Sequence, residues 1–358
     1  MGGSAVETLK RSELITLAVA AVGTLLAGVL SHLQGGSVLV FVVSGVALAA
    51  LASLVGIATD QVGQRLGPGA TGVLQSALGN LPELFVGIFA LRAGLVGVVQ
   101  AALVGSILGN SLLVLGLAFV VGGARHGTQR FSSEAPRMIA TLTALAVSAL
   151  AIPTLVEHLH TPAAEHTEAL SVACAIVLLI VFALSIPVSL SDNPSAVTAP
   201  ETALDTWPIW LAGGLLGLAG IGAAFVSDWF VDALRPAMDA LHLSDAFAGL
   251  VVVALAGNAV ENVVGVQLAA ANKADYAISV ILNSSLQVAL GLTPVLVLLS
   301  LIIGGAHLTL ILPPLMVASL GLAAALSTLI VYDGESTWLE GAILIGLYGI
   351  IAASFWWG

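Results

Sequence analysis

Apolar runs of twenty or so residues follow one another along almost the whole chain, separated by short polar connections. A helix needs about 20 such residues to cross a bilayer. With 9 Lys+Arg and 20 Asp+Glu among 358 residues, only 8% of the chain is charged, against roughly 25% in a soluble domain. That is too little charge to clothe a soluble globule of this size, and disorder demands the opposite balance. Outer-membrane barrels alternate apolar and polar positions in segments of about ten residues, whereas these runs are continuous. The chain therefore reads as an all-α polytopic membrane protein.

Eleven transmembrane helices are predicted, near 14–33, 37–58, 69–92, 95–121, 136–156, 167–190, 207–227, 245–271, 274–302, 308–331 and 338–357. The first run follows Lys10 and Arg11 as a signal peptide's would, but it is longer than a usual apolar core and has no clear cleavage site, so it counts as a span. With a cytoplasmic N-terminus, Lys10, Arg11, Arg65, Arg125, Arg130, Arg137 and Lys273 fall inside and Arg92 and Arg235 outside. That bias supports this orientation, with the C-terminus outside. Trp207, Trp210, Trp338, Trp356 and Trp357 stand at span ends, where indoles prefer the interface. The net charge of −11 argues against nucleic-acid partners and suits the attraction of cations. Cys174 is the single cysteine, so no disulfide framework exists.

One short pattern occurs twice. Gly79-Asn80-Leu81-Pro82-Glu83 returns as Gly257-Asn258-Ala259-Val260-Glu261, each with a glycine four residues beyond the acid, Gly87 and Gly265. The copies fall in the third and eighth spans, and an odd separation of five reverses direction across the membrane. This is the pattern of an inverted-topology repeat. The domains that follow are 1–34 (N-terminus and one extra helix), 35–190 (first five-helix repeat), 191–206 (a polar cytoplasmic linker) and 207–358 (second five-helix repeat). Asp60 and Asp228 close the second and seventh spans, and Gly105-Ser106-Ile107-Leu108-Gly109-Asn110 has a counterpart in Asn283-Ser284-Ser285-Leu286-Gln287.

Seventeen of the 20 acids lie in loops or at span ends, and Glu340 sits close behind Trp338. Glu83 and Glu261 are left at mid-span, with no Lys or Arg within either span that could pair with them. A carboxylate there costs at least about 2.5–3.5 kcal/mol, so it either takes a proton or binds a cation, and the two compete for the same oxygens. Pro82 removes a backbone donor, and an opened helix at membrane depth is tolerated where it lines a cavity. Carbonyls near Gly79 and Gly257, amides of Asn80 and Asn258, and Ser106, Asn110, Ser284, Ser285 and Gln287 complete an all-oxygen set that suits a hard cation such as Ca2+. No Cys or His lies near the motifs, which argues against a soft metal.

Blander readings stand beside these. An intramembrane Glu is sometimes a neutral, hydrogen-bonded core residue, and Asn110, Gln287 and the serines also serve to bind helices together. Asp60 and Asp228 line the pathway mouths or simply sit at the interface. The cluster Glu157, His158, His160, Glu165, His166 and Glu168 reads as a solvated outer loop, and Gly213, Gly214, Gly217, Gly220 and Gly222 as a close-packing face.

On these motifs the sequence resembles the calcium/proton exchanger family of the calcium–cation antiporter superfamily, most densely over 55–123 and 225–300. The resemblance implies one extra helix plus two inverted five-helix repeats, and Ca2+ export against proton entry with no cofactor. It also implies Glu83 and Glu261 as alternating metal and proton sites, movement of spans 2 and 7, and compatibility with a homotrimer. Two positions depart from the family: Asn262 stands where His is frequent and Asn283 where Gly is frequent. The short N-terminus favours a prokaryotic cell (inner) membrane. The remaining alternatives are a sodium-driven or broad-specificity divalent cation exchanger, a passive channel, and an intramembrane hydrolase. The hydrolase is disfavoured because no Ser/His or HExxH arrangement occurs in the spans, so the protein is expected not to be an enzyme.

Overall fold

The computed structural model describes residues 9–33, 35–66, 74–75, 78–192 and 207–357. It is helical almost throughout, as a chain with no water to satisfy its backbone must be. In order run α1 (Arg11–His32), α2 (Ser37–Leu66), α3 (Leu81–Arg92), α4 (Val96–Leu108) and α5 (Leu115–His126), α6 (Glu134–His158), α7 (Thr167–Asp192) and α8 (Ile209–Leu241). Then come α9 (Asp245–Phe247), α10 (Ala254–Gly257), α11 (Ala259–Ala270), α12 (Ala274–Gln287), α13 (Thr293–Ser300), α14 (Pro314–Ile330) and α15 (Trp338–Trp356). Wider π turns join α4 to α5 (Gly109–Val114), α9 to α10 (Ala248–Val253) and α12 to α13 (Val288–Leu292). Two short antiparallel strands pair Gln129 with Ser336 and Arg130 with Glu335.

Among the described residues, eight helices are long and apolar enough to span a membrane, nine if the bent pair Asp245–Gly257 and Asn262–Ala270 is one span. Large apolar side chains face outward on them: Leu25 is 69% exposed, Leu218 67% and Ile350 70%. Such faces need lipid. The protein is a multi-pass membrane protein. Of the other expected spans, 69–92 falls partly outside the described residues. The 308–331 span is a shorter helix, α14, preceded by extended chain. The linker 191–206 lies outside them from residue 193.

The chain divides into two compact units that each draw on both sequence halves. The first comprises residues 1–89 and 185–242. Here α1 packs through small residues: Ala20 and Ala27 are buried, and a Cβ on Gly28 would stand 2.8 Å from the Trp229 ring. Phe41 of α2 stacks on Phe230 of α8 with centroids 4.8 Å apart. At 33 residues, α8 is about 50 Å long against a hydrocarbon core of about 30 Å. It runs past the expected end at 227, through Pro236, to Leu241.

Trp207 is enclosed by the protein. It is 1% exposed and packs on Ala58 and Ala212. Its backbone nitrogen donates to Gln61 Oε1 (2.9 Å), its carbonyl accepts from Arg65 Nε (2.7 Å), and its indole N–H donates to Glu13 Oε2 (3.2 Å). Partners from α1 and α2 outweigh the interface preference of the ring. Trp210 and Trp357 are exposed as expected.

The second unit comprises residues 90–184 and 243–358. Its central crossing depends on two glycines: a Cβ on Gly105 of α4 would lie 2.1 Å from Leu250 O, and one on Gly249 2.4 Å from Val98 O. No side chain fits at either place. Between α13 and α14 the chain is extended, with Leu308, Leu310 and Leu312 buried in strict alternation. Backbone outside a helix needs partners in an apolar interior, and side chains supply them. Leu308 N donates to Ser300 Oγ, Leu310 N to Ser171 Oγ and Leu312 N to Thr154 Oγ1. Gln100 Nε2 donates to both Thr309 O and Ile311 O, at 2.9 and 3.0 Å.

Candidate functional site

Both repeated motifs break a helix. Gly79 and Asn80 form a turn, after which α3 starts at Leu81, and Asn258 (φ −90°, ψ 20°) separates α10 from α11. Pro82 is the second residue of α3, where a missing N–H costs nothing. Glu83 and Glu261 are each the third residue of a 12-residue helix, with Asn80 and Asn258 just before its start. The first turn of a helix carries partial positive charge, so each carboxylate is attached where the backbone favours an anion. Glu83 belongs to the first unit and both its carboxylate oxygens are buried. The side chain of Glu261 lies outside the described residues.

In the second unit four of the expected oxygen-bearing residues converge. Asn258 Nδ2 donates to Ala254 O and to Ser106 Oγ, both at 2.9 Å. A carbonyl accepts only from the NH2 end, so this bond fixes the orientation of the amide and points Asn258 Oδ1 the other way. There it accepts from Asn110 Nδ2 (3.2 Å), whose second hydrogen goes to Ser284 Oγ (2.9 Å). Asn110 Oδ1 is then left as a buried acceptor with no hydrogen-bond partner among the described residues. Asn110 is 1% exposed, Asn258 2%, Ser106 4% and Ser284 5%. An uncompensated amide oxygen in such a place costs about 1–3 kcal/mol, and a cation would remove that cost.

The remaining expected residues are placed as follows. Asn80 is buried and its carbonyl accepts from Leu84 N, which carries the chain into α3. Gly257 is buried at the end of α10, and Gly79 N donates to Gln75 O. Gln287 is half-buried at the last position of α12, directly before a π turn, while Asn110 is the second residue of another. Ser285 bonds not into the amide cluster but to Ser111, 3.0 Å between hydroxyl oxygens. Ser111 is a residue that the motif reading omits. Asn262 Oδ1 is a further buried oxygen without a partner, next to Glu261.

Asp60 accepts a hydrogen bond from Gln75 Nε2. Asp228 lines a cavity of about 760 Å3 in the first unit, together with Phe85, Phe89 and the glycines 213, 217 and 220. A Cβ on Gly213, Gly214, Gly217 or Gly220 would meet no described atom within 4 Å. Among the described residues these four glycines make no packing contact of the expected kind, and Gly213, Gly217 and Gly220 line the cavity; of the five only Gly222 approaches a described neighbour, Leu51. From the cluster 157–168, Glu168 Oε1 pairs with His307 Nδ1 at 3.0 Å, both half exposed, as befits a solvated segment. Among the described residues no three His, Cys, Asp or Glu side chains converge. Amide and hydroxyl oxygens thus make up the described cluster.

A family model described as sodium/calcium exchanger protein matches residues 36–190 and 211–357. The chain belongs to this exchanger family. Its similarity to family members runs nearly end to end. It is 35% identical over 341 residues to a Ca(2+)/H(+) antiporter of Aphanothece halophytica, covering 90% of this chain and 91% of that one. With the Ca(2+)/H(+) antiporter ChaA of Bacillus subtilis it shares 33% identity, over 94% and 97% of the two chains. The solved structure of native YfkE superposes with a TM-score of 0.82 at 30% identity, covering 96% of this chain and all of that one. The calcium/proton exchanger resemblance carried by the two motifs is thereby upheld across the exchanger fold as a whole.

Proposed function

We propose that this protein is a secondary-active Ca2+/H+ antiporter that exports calcium in exchange for protons by alternating access. The reading is carried by the paired glutamates, each third in a 12-residue helix that opens after a break, in a chain similar over nine-tenths of its length to a Ca(2+)/H(+) antiporter. Ca2+ is the transported substrate, and no cofactor enters the cycle.

Protons arriving from outside neutralise Glu83 and Glu261, which releases Ca2+ outward. The neutral site then turns inward, loses its protons and takes Ca2+ again. Exchanging two protons for one divalent ion leaves the charge of the site nearly constant, so neither state carries a bare charge across the bilayer. Asn110 Oδ1, held open by the hydrogen bonds around it, supplies a neutral ligand. Asn80, Asn258, Ser106, Ser284, Ser285, Gln287 and backbone at Gly79 and Gly257 complete the coordination, and Asp60 and Asp228 serve the two mouths. The arrangement of eleven spans as one extra helix plus two inverted repeats is supported by the two family-matched stretches that flank the linker. An N-terminus inside, a C-terminus outside and a homotrimeric assembly belong to the same reading.

Transport in proteoliposomes with an imposed pH gradient tests it. Ca2+ uptake that follows the pH gradient and persists when the sodium gradient is collapsed supports the antiporter. Uptake that needs sodium, or that runs without any gradient, replaces it with a sodium-driven exchanger or a channel.

A further inference from the structure

We propose that Ser111 is a positioning residue for the transported cation, acting through Asn110 and Ser284; the inference deepens the antiporter reading and rests on it. Two consecutive residues of the π turn, Asn110 and Ser111, bond two consecutive residues of α12, Ser284 and Ser285, at 2.9 and 3.0 Å. Neighbouring side chains on the regular helix α12 point about 100° apart, so the two rungs hold the facing turn from two directions. On the wider turn over Gly109–Val114 that angle is narrower, which lets both residues face α12. Such π turns occur frequently at functional sites.

Serines inside apolar helices ordinarily return their hydroxyl to a carbonyl of their own preceding turn, as Ser53 and Ser148 do here. Ser111 and Ser285 bond each other across helices, 1% and 0% exposed, and Ser285 also reaches Ile107 O at 3.4 Å. The hydroxyl pair fixes the rotation of the π turn about its own axis. Since Asn110 is the next residue, the same constraint fixes where its partnerless Oδ1 points. Cutting the Ser111–Ser285 rung at Ser111, which is not among the expected ligands, leaves all of them in place and loosens the aim of one.

The test uses the full-length wild type, Ser111→Ala, Ser111→Thr, Ser285→Ala and the Ser111→Ala/Ser285→Ala pair. Two readouts are taken: proteoliposome uptake driven by a pH gradient, and the Ca2+-dependent rise of the thermal midpoint in detergent. Ser111→Ala is expected to raise the KM for Ca2+ roughly three- to tenfold, the effect of one hydrogen bond, with maximal rate nearly unchanged. Ser111→Thr keeps the hydroxyl and restores the wild-type KM. Ser285→Ala removes a proposed ligand together with the rung and is expected to raise the KM at least as much, and the double variant is no worse than Ser285→Ala alone. An unchanged KM in Ser111→Ala, a double variant clearly worse than Ser285→Ala, or a loss that Ser111→Thr fails to restore overturns the proposal. Should the wild type show no proton-driven uptake, the antiporter reading fails. The midpoint shift then decides on Ser111 alone: a weaker Ca2+ response in Ser111→Ala than in the wild type upholds it, and an equal response, or none in the wild type, refutes it.

Discussion

Asn110 Nδ2 and Asn258 Oδ1 stand 3.2 Å apart in the second unit, and this one contact determines which oxygen of the cluster stays open. Asn258 spends both its hydrogens on Ala254 O and Ser106 Oγ. Its oxygen accepts from Asn110, and the Asn110 oxygen has no hydrogen-bond partner among the described residues. Replacing Asn110 by Ala strips a partner from both Asn258 Oδ1 and Ser284 Oγ. We expect the variant to lose about 1–3 kcal/mol of stability per orphaned group and to bind Ca2+ far more weakly. Thermal unfolding with and without Ca2+ measures both effects.

The helix crossing at Gly105 leaves no room for a methyl group, with Leu250 O at 2.1 Å from its position, whereas Gly217 faces open space. Gly105→Ala is therefore expected to lower stability by at least about 1–3 kcal/mol. Gly217→Ala should be neutral or gain up to about 1 kcal/mol from reduced chain entropy. Midpoints of the two variants in one detergent make the comparison, and a Gly105→Ala protein as stable as wild type contradicts the crossing.

Gln100 holds two carbonyls of the extended segment, Thr309 O and Ile311 O. In Gln100→Leu both lose their donor at a buried position. A loss of about 2–6 kcal/mol follows if each orphan costs its usual amount, and limited proteolysis should open near residues 306–313 first. Wild-type stability in this variant would show that other groups satisfy that strand.

Proton and metal compete for the same carboxylate oxygens in this account, which sets the sign of its pH dependence. Without a gradient, lowering the pH fills Glu83 and Glu261 with protons and weakens Ca2+ binding, and raising it strengthens binding until both are ionised. Titrating the Ca2+-dependent thermal midpoint across acidic to mildly alkaline pH follows this. Affinity independent of pH would contradict shared oxygens.

How much was legible in the sequence depends on whether a residue was anomalous in its own run. Glu83, Glu261, Asn110 and Ser284 stood out because a polar group in a long apolar helix has a cost that must be answered, and Asn110, Asn258, Ser106 and Ser284 do meet. Ser111 was not legible: a serine that bonds its own helix and one that bonds across helices look identical in a sequence. The π turns have no residue code, so the paired rungs were hidden as well. Trp207 follows an interface rule that local partners on α1 and α2 override. The extended segment carried a readable sign, the alternation His307-Leu308-Thr309-Leu310-Ile311-Leu312 between Gly304-Gly305 and Pro313-Pro314, but its apolar content masked it as the start of a span. The glycines of α8 announced a small-residue face without saying whether a helix or a cavity lies against it.

Proton-driven Ca2+ uptake by Glu83→Gln and Glu261→Gln in inverted membrane vesicles tests the central claim most directly. Each change keeps the shape of the side chain and removes the group that exchanges a proton for metal. The account predicts that both variants insert in the membrane at wild-type levels and take up no Ca2+ when the pH gradient is imposed. Uptake at the wild-type rate by either one would contradict it.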